Sequence, residues 1–214
     1  MKSNEAIIFD LDGTLADTLN LSLDGSQKIL KNSFKIDLTP NKIFAHFGKS
    51  EDAFFKHFCG ENWPQAMQNY ADFFAGNVTQ ATLFPQIKEV LEYLKNNKIK
   101  TAVVTGRSGK SAEVILKAAG IRDYFDFVKP GSSEGSIKPR CIREVFEAWG
   151  QNPLDTYYIG DIPHDIADAK AAGVKALAAS WDALVDKEGQ KAQQPLHIFH
   201  TTKEFKDWVQ NRLV

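Results

Sequence analysis

Asp10, Leu11, Asp12, Gly13 and Thr14 directly follow the apolar run AIIF. Side chains alternate along a strand, so two carboxylates two positions apart at its end face one crevice, and Gly13 lets the chain turn away sharply. Three more places set polar residues at the border of a regular segment. Thr105, Gly106 and Arg107 follow TAVV, Gly160 and Asp161 follow TYYI with Asp165 four residues on, and Lys138-Pro139 stands just ahead of RCIREVF. Gathered at one edge, these supply the carboxylates of Asp10, Asp12, Asp161 and Asp165, the Lys138 ammonium and the Thr105 hydroxyl. Two carboxylates about 4 Å apart repel by roughly 4 kcal/mol at an effective dielectric near 20. Lys138 alone cannot balance four. Carboxylates without a His or Cys cluster suit a hard, oxygen-ligated ion such as Mg2+, and Asp10 and Asp161 are the expected metal carboxylates. An oxyanion-rich substrate then fits against backbone N–H groups near Gly106, the Thr105 hydroxyl and Lys138, as around a transferring phosphoryl group.

Such a site needs strands that all end on one side. AIIFD, KTAVVTG, FDFVKPG, TYYIGD and VKALAAS read as short buried strands, because each is an uninterrupted apolar run bordered by Gly, Pro or polar residues. Between them lie the helical patterns IKEVLEYLKNN, SAEVILKAAG, RCIREVFEAWG and HDIADAKAAG, with Gly120, Gly150 and Gly173 as expected stops, and KEFKDWVQNRL closes the chain. The alternation predicts an α/β, doubly wound, mainly parallel sheet, whose ligands bind at the carboxyl ends of the strands. From about 16 to 81 the rhythm breaks into helical patterns only. That stretch reads as an inserted helical domain whose many aromatic residues form a helix-bundle core, leaving 1–15 and 82–214 as the catalytic core. EGQKAQQP reads as a surface loop.

The bulk properties narrow the partner. A chain of 214 residues with 43% hydrophobic content buries a real core, and a net charge of −1 without a basic tract offers nothing to nucleic acid or a membrane surface. A small molecule is the expected partner. No signal-peptide core or membrane span is apparent, so the expected location is cytoplasmic. Cys59 and Cys141 lack metal-type spacing and read as buried thiols. Nothing in the sequence fixes the oligomeric state.

DLDGT, the strand-ending Thr105, Lys138-Pro139 and GDIPHD together resemble the four motifs of the haloacid dehalogenase superfamily, and the match spans nearly the whole chain. The resemblance implies a Rossmann-like core with a helical cap, as in the phosphoglycolate phosphatase-like branch. It implies that Asp10 is the nucleophile of an aspartyl-phosphate mechanism, and that Asp12 is the general acid/base and holds magnesium through its backbone carbonyl. Thr105 and Lys138 correspond to the phosphate-binding pair, Asp161 to the magnesium carboxylate and Asp165 to a supporting acid. The break at Gly48-Lys49-Ser50 reads either as an ordinary helix-linking turn or as a loop resembling the cap loops of this branch, which would let Lys49 present a cation to the substrate. Two positions depart from the pattern: Gly106 stands where this branch often has Asn, and Ile162 where Ser or Thr is common. The implied activity is hydrolysis of a small phosphorylated metabolite. A phosphosugar mutase using the same motifs and a catalytically idle phosphate-binding protein are the alternatives, while Asp12 argues against carbon–halogen chemistry.

Lys129-Pro130 mimics Lys138-Pro139 but reads as a strand-closing turn. TGRSGKS resembles a phosphate-binding P-loop, yet its first required glycine falls at Val104. Arg107 is placed either to pair with an anionic substrate or to sit solvated in its loop. His164, inside GDIPHD, is a possible neighbour of the site, whereas His46, His57, His197 and His200 show no ligand spacing and read as structural or exposed.

Overall fold

The computed structural model describes residues 5–46, 50–77, 83–132 and 137–213. After β1 (Ala6–Phe9) come α1 (Leu19–Phe34), α2 (Pro40–Phe44), α3 (Glu51–Cys59), α4 (Trp63–Asn77) and α5 (Ile87–Asn96). The remainder alternates: β2 (Lys100–Val104), α6 (Gly109–Ala118), β3 (Phe127–Lys129), α7 (Lys138–Ala148), β4 (Thr156–Gly160), α8 (Pro163–Ala172), β5 (Lys175–Ala179), α9 (Lys187–Ala192), β6 (His197–Phe199) and α10 (Thr202–Arg212).

The six strands form one parallel sheet in the order β3-β2-β1-β4-β5-β6. A parallel sheet is covered on both faces, which is why β1 is apolar throughout and both β1 and β4 are buried at every position. Alternation sends Ile7 and Phe9 into one core with α5, α6 and α10, while Ile8 joins α7 and α8 in the other. The protein is therefore α/β and doubly wound, as the alternation predicts. Helices α6, α7 and α8 stop just before Gly120, Gly150 and Gly173, again as the sequence predicts.

Register decides where the chemistry goes. Phe9 lies level with Val103 on one side and Ile159 on the other, so β1, β2 and β4 end together. The chain passes from β1 outward through β2 and β3, then returns to place β4 on the opposite side of β1, which makes the β1/β4 border the switch point where such sheets open a crevice. Asp10 and Asp161 are the residues that flank it.

Two elements differ from expectation. The stretch read as a surface loop contains α9, and its Gln190 is fully buried, because the side-chain amide donates to the carbonyls of Asp161 and Ala179. The edge strand β6 is three residues long, too short to stand out as an apolar run. Cys141 is buried as read, and Cys59 is half-buried. Among the described residues no helix is long and apolar enough to cross a membrane.

Candidate active site

Asp10 continues β1 by one residue, its N–H donating to Ile159 O at 2.8 Å. Its Oδ2 lies 3.2 Å from Lys138 Nζ, and its Oδ1 is buried with no hydrogen-bond partner among the described residues. The turn after Asp12 depends on Gly13, which has φ +73° and lies so close to Asp161 that a Cβ there would collide with its carboxylate. Asp161 Oδ1 accepts from Thr14 at 3.4 Å, while Oδ2 is a second buried oxygen without a partner among the described residues.

Lys138 opens α7 from a buried position, and its ammonium is shared between Asp10 and Asp165, at 2.5 Å from Asp165 Oδ1. Asp165 also accepts from the Tyr158 hydroxyl at 3.3 Å and from the Ile162 N–H at 3.2 Å. It presses against the backbone at Gly160, where a Cβ would overlap its carboxylate. Thr105 is fixed by its N–H on Lys129 O at 3.0 Å, and its hydroxyl oxygen accepts the Arg107 N–H at 3.2 Å, which directs the hydroxyl proton elsewhere. Lys129 turns outward to Glu144 at 2.8 Å, and Lys110 of the P-loop-like stretch reaches Gln68, so neither joins this cluster.

Arg107 is not a solvated loop residue. It is 3% exposed and grips Asp12 in a two-pronged pair, Nε to Oδ2 at 2.8 Å and Nη2 to Oδ1 at 2.5 Å. Nη2 also donates to Ser22, Nη1 donates to Glu51 Oε1 at 2.8 Å, and the guanidinium carbon lies 4.3 Å from the Phe74 ring centroid. Thr18 adds a hydroxyl donor to Asp12.

Burial pushes the Asp10 carboxyl up to about 7 although Lys138 opposes it, and burial beside Asp165 and Asp10 carries Asp161 well above the carboxylate range. Burial would raise Asp12 too, but Arg107 and Thr18 outweigh it and hold Asp12 below its ordinary value. A raised acid binds protons more tightly in the folded state. Its stabilising contribution is therefore present below the unfolded value and lost as pH rises through the folded one. In chelator, raising pH from 5 to 8 should cost the protein on the order of 2 kcal/mol of stability through Asp10. Asp10→Asn should flatten that slope in thermal melts; parallel slopes for the two proteins would contradict it.

Oxygens of Asp10, Asp161 and Asp165 gather within 4.8 Å of one another. Two of these residues carry unpartnered buried oxygens, and all three offer hard ligands, so the donor set fits a divalent cation. The cavity above is walled by Asp10, Asp12, Thr105, Gly106, Arg107, Lys138 and Asp161 below and by residues of α1, α2, α3 and α4 above. Lys49 lies outside the described residues. His164 is exposed and does not line the cavity, whereas His46, read from sequence as structural or exposed, does. Phe44, Phe54, Phe55 and Tyr70 also line it, so the aromatic residues form both the helical core and a cavity wall.

Three contributors were not visible in the sequence. Glu51 looks like any acidic residue in the first turn of a helix. Trp181, whose indole N–H donates to Thr14 O at 3.2 Å, and Gln190, which holds the Asp161 carbonyl, brace the two site loops from a segment with no motif.

The family model described as haloacid dehalogenase-like hydrolase matches residues 7–179. The phosphoglycolate phosphatase of Aquifex aeolicus is 28% identical over 182 residues, covering 82% of this chain and 84% of its own. Pyrophosphatase PpaX of Oceanobacillus iheyensis is 26% identical over 209 residues, covering 94% and 95%. A hydrolase from Pseudomonas syringae superimposes with a TM-score of 0.85 over 98% of this chain and all of its own, and at 19% identity that likeness bears on the fold alone. The matched stretch holds Asp10, Asp12, Thr105, Lys138, Asp161 and Asp165, and on it the chain belongs to the haloacid dehalogenase-like hydrolases.

Proposed function

We propose that this protein is a magnesium-dependent phosphatase that hydrolyses a small phosphorylated metabolite through an aspartyl-phosphate on Asp10. The observation that carries the reading is the unpartnered Asp10 Oδ1 at the level end of β1, ringed by Lys138, Asp161 and, two residues on, Asp12. An acceptor buried without a partner is costly unless something occupies it, and an electrophilic phosphorus beside a cation does so.

Asp10 attacks phosphorus, the ester P–O bond breaks, and Asp12 delivers its proton to the departing oxygen. Asp12 then takes a proton from water as the water oxygen bonds to phosphorus and the bond to Asp10 breaks. Arg107 and Thr18 hold Asp12 ionised, the form the second step uses, so substrate binding has to restore a proton to it before the first. Thr105, the Gly106 N–H and Lys138 hold the phosphoryl oxygens, and Asp165 keeps Lys138 aimed at Asp10. Asp10, Asp161 and the Asp12 backbone carbonyl would hold Mg2+, which supplies charge neutralisation for the phosphoryl group. The helical segment 16–81 acts as a cap whose α3 contacts the core at Arg107 and Gly106, the Glu51 N–H donating to Gly106 O at 3.2 Å.

Release of nitrophenolate from para-nitrophenyl phosphate in Mg2+ is the direct test. Activity should fall to background in excess chelator and return with Mg2+ alone. Undiminished turnover in chelator would sink the assignment.

A further inference from the structure

Among the described residues lining the cavity the permanent cations are Lys138 and Arg107, and each is already shared between two carboxylates. Lys138 serves Asp10 and Asp165. Arg107 serves Asp12 and Glu51, gives a further N–H to Ser22, and has its ring-facing side against Phe74. With all five carboxyls ionised, as ligation of a cation would require, the cluster of Asp10, Asp12, Glu51, Asp161 and Asp165 exceeds its two cations by three charges. A divalent ion removes most of that excess, and a phosphate monoester dianion restores it.

Glu51 cannot swing aside to expose Arg107 without losing both its oxygens' partners. Oε1 receives Arg107, and Oε2 receives the Ser108 N–H at 2.9 Å and the Ser111 hydroxyl at 2.7 Å, at the opening of α6. A second anionic group on the substrate would thus meet a carboxylate locked in place and a guanidinium with no net charge to offer. The rest of the described wall on that side is formed by Leu19, Phe44, Phe54, Phe55 and the Tyr70 ring, with His46 and the hydroxyls of Ser22 and Ser26 among them.

Resting on the phosphatase reading above, we infer that the leaving group of the substrate is uncharged, and that Glu51 is the specificity-determining residue that turns away substrates with a second anionic group. Phosphoglycolate and pyrophosphate both carry such a group, so the inference sets this chain's substrate apart from those for which these two relatives are named.

The test compares kcat/KM in Mg2+ for propyl phosphate, the phosphate ester of 3-hydroxypropanoate and that of its carboxamide, which matches the acid in shape. Wild-type protein should favour the carboxamide over the carboxylate by about tenfold or more, with propyl phosphate also used in preference to the carboxylate. Glu51→Gln should shrink the carboxamide preference several-fold, chiefly by lowering KM for the carboxylate, a split that mere loosening of the fold would not produce. The wild-type comparison needs no variant, so a misfolded Glu51→Gln leaves the substrate-class claim decidable. Equal or better use of the carboxylate by wild type overturns the inference, including the case where Lys49→Ala abolishes that preference and so identifies the receiving cation. An unchanged ratio in folded Glu51→Gln overturns the role of Glu51. Failure on all three esters while para-nitrophenyl phosphate is hydrolysed overturns the inference alone; failure on every ester overturns the phosphatase reading beneath it.

Discussion

Asp10→Asn is expected to lower steady-state hydrolysis of para-nitrophenyl phosphate by roughly 10^4-fold or more, the scale seen when a covalent nucleophile is removed. An amide oxygen is a poor nucleophile, and the change also removes one of the two unpartnered carboxylate oxygens that fit a cation. The fold should survive, because Asp10 contributes to the sheet through its backbone N–H on Ile159 O, which the substitution keeps. Losing one of several crowded carboxylates should if anything stabilise the chelated protein at pH 8. Activity within tenfold of wild type, in protein that melts as a cooperative unit, would contradict the role given to Asp10.

Asp12→Asn separates the two steps. Nitrophenolate leaves without a proton, so Asp10 should still attack the aryl ester, whereas the water that clears the intermediate loses its base. Rapid mixing should show a burst approaching one equivalent per site, then turnover slowed by about 10^2 to 10^4-fold, the usual worth of general acid–base catalysis. With an alkyl phosphate, whose leaving oxygen needs protonation, the burst should vanish too. Arg107 would keep Glu51 and Ser22 after the change, so its position should hold. Wild-type steady turnover of the aryl ester by this variant would remove Asp12 from the second step.

Strands β1 to β5 were legible because a parallel sheet covered on both faces favours continuous apolar runs, and the polar residues that end those runs stand out by contrast. Register, which no single segment encodes, brings the ends of β1, β2 and β4 together, with Asp10, Thr105 and Asp161 as the next residues of each. What escaped reading depends on contacts between distant segments. Gln190 sits in a polar stretch and is buried only because it reaches the Asp161 carbonyl, 29 positions away. Arg107 was legible as a strand-end cation, but its loop alone says nothing of Glu51, 56 positions earlier, which takes up its charge. Glu51 itself follows the helix-capping Ser50, whose hydroxyl accepts from the Ala53 N–H at 3.1 Å, and such a place ordinarily needs no further explanation for an acid.

The covalent bond between phosphorus and Asp10 should become long-lived enough to see in Asp12→Asn. Acid quenching of this variant during the burst with para-nitrophenyl phosphate, followed by peptide mass spectrometry, reads the site directly. The expected result is a phosphoryl group on the peptide holding Asp10, in an amount matching the burst and absent from the protein that also carries Asp10→Asn. A stoichiometric burst with the phosphoryl group on another residue, or released as free phosphate with none on the protein, would contradict it.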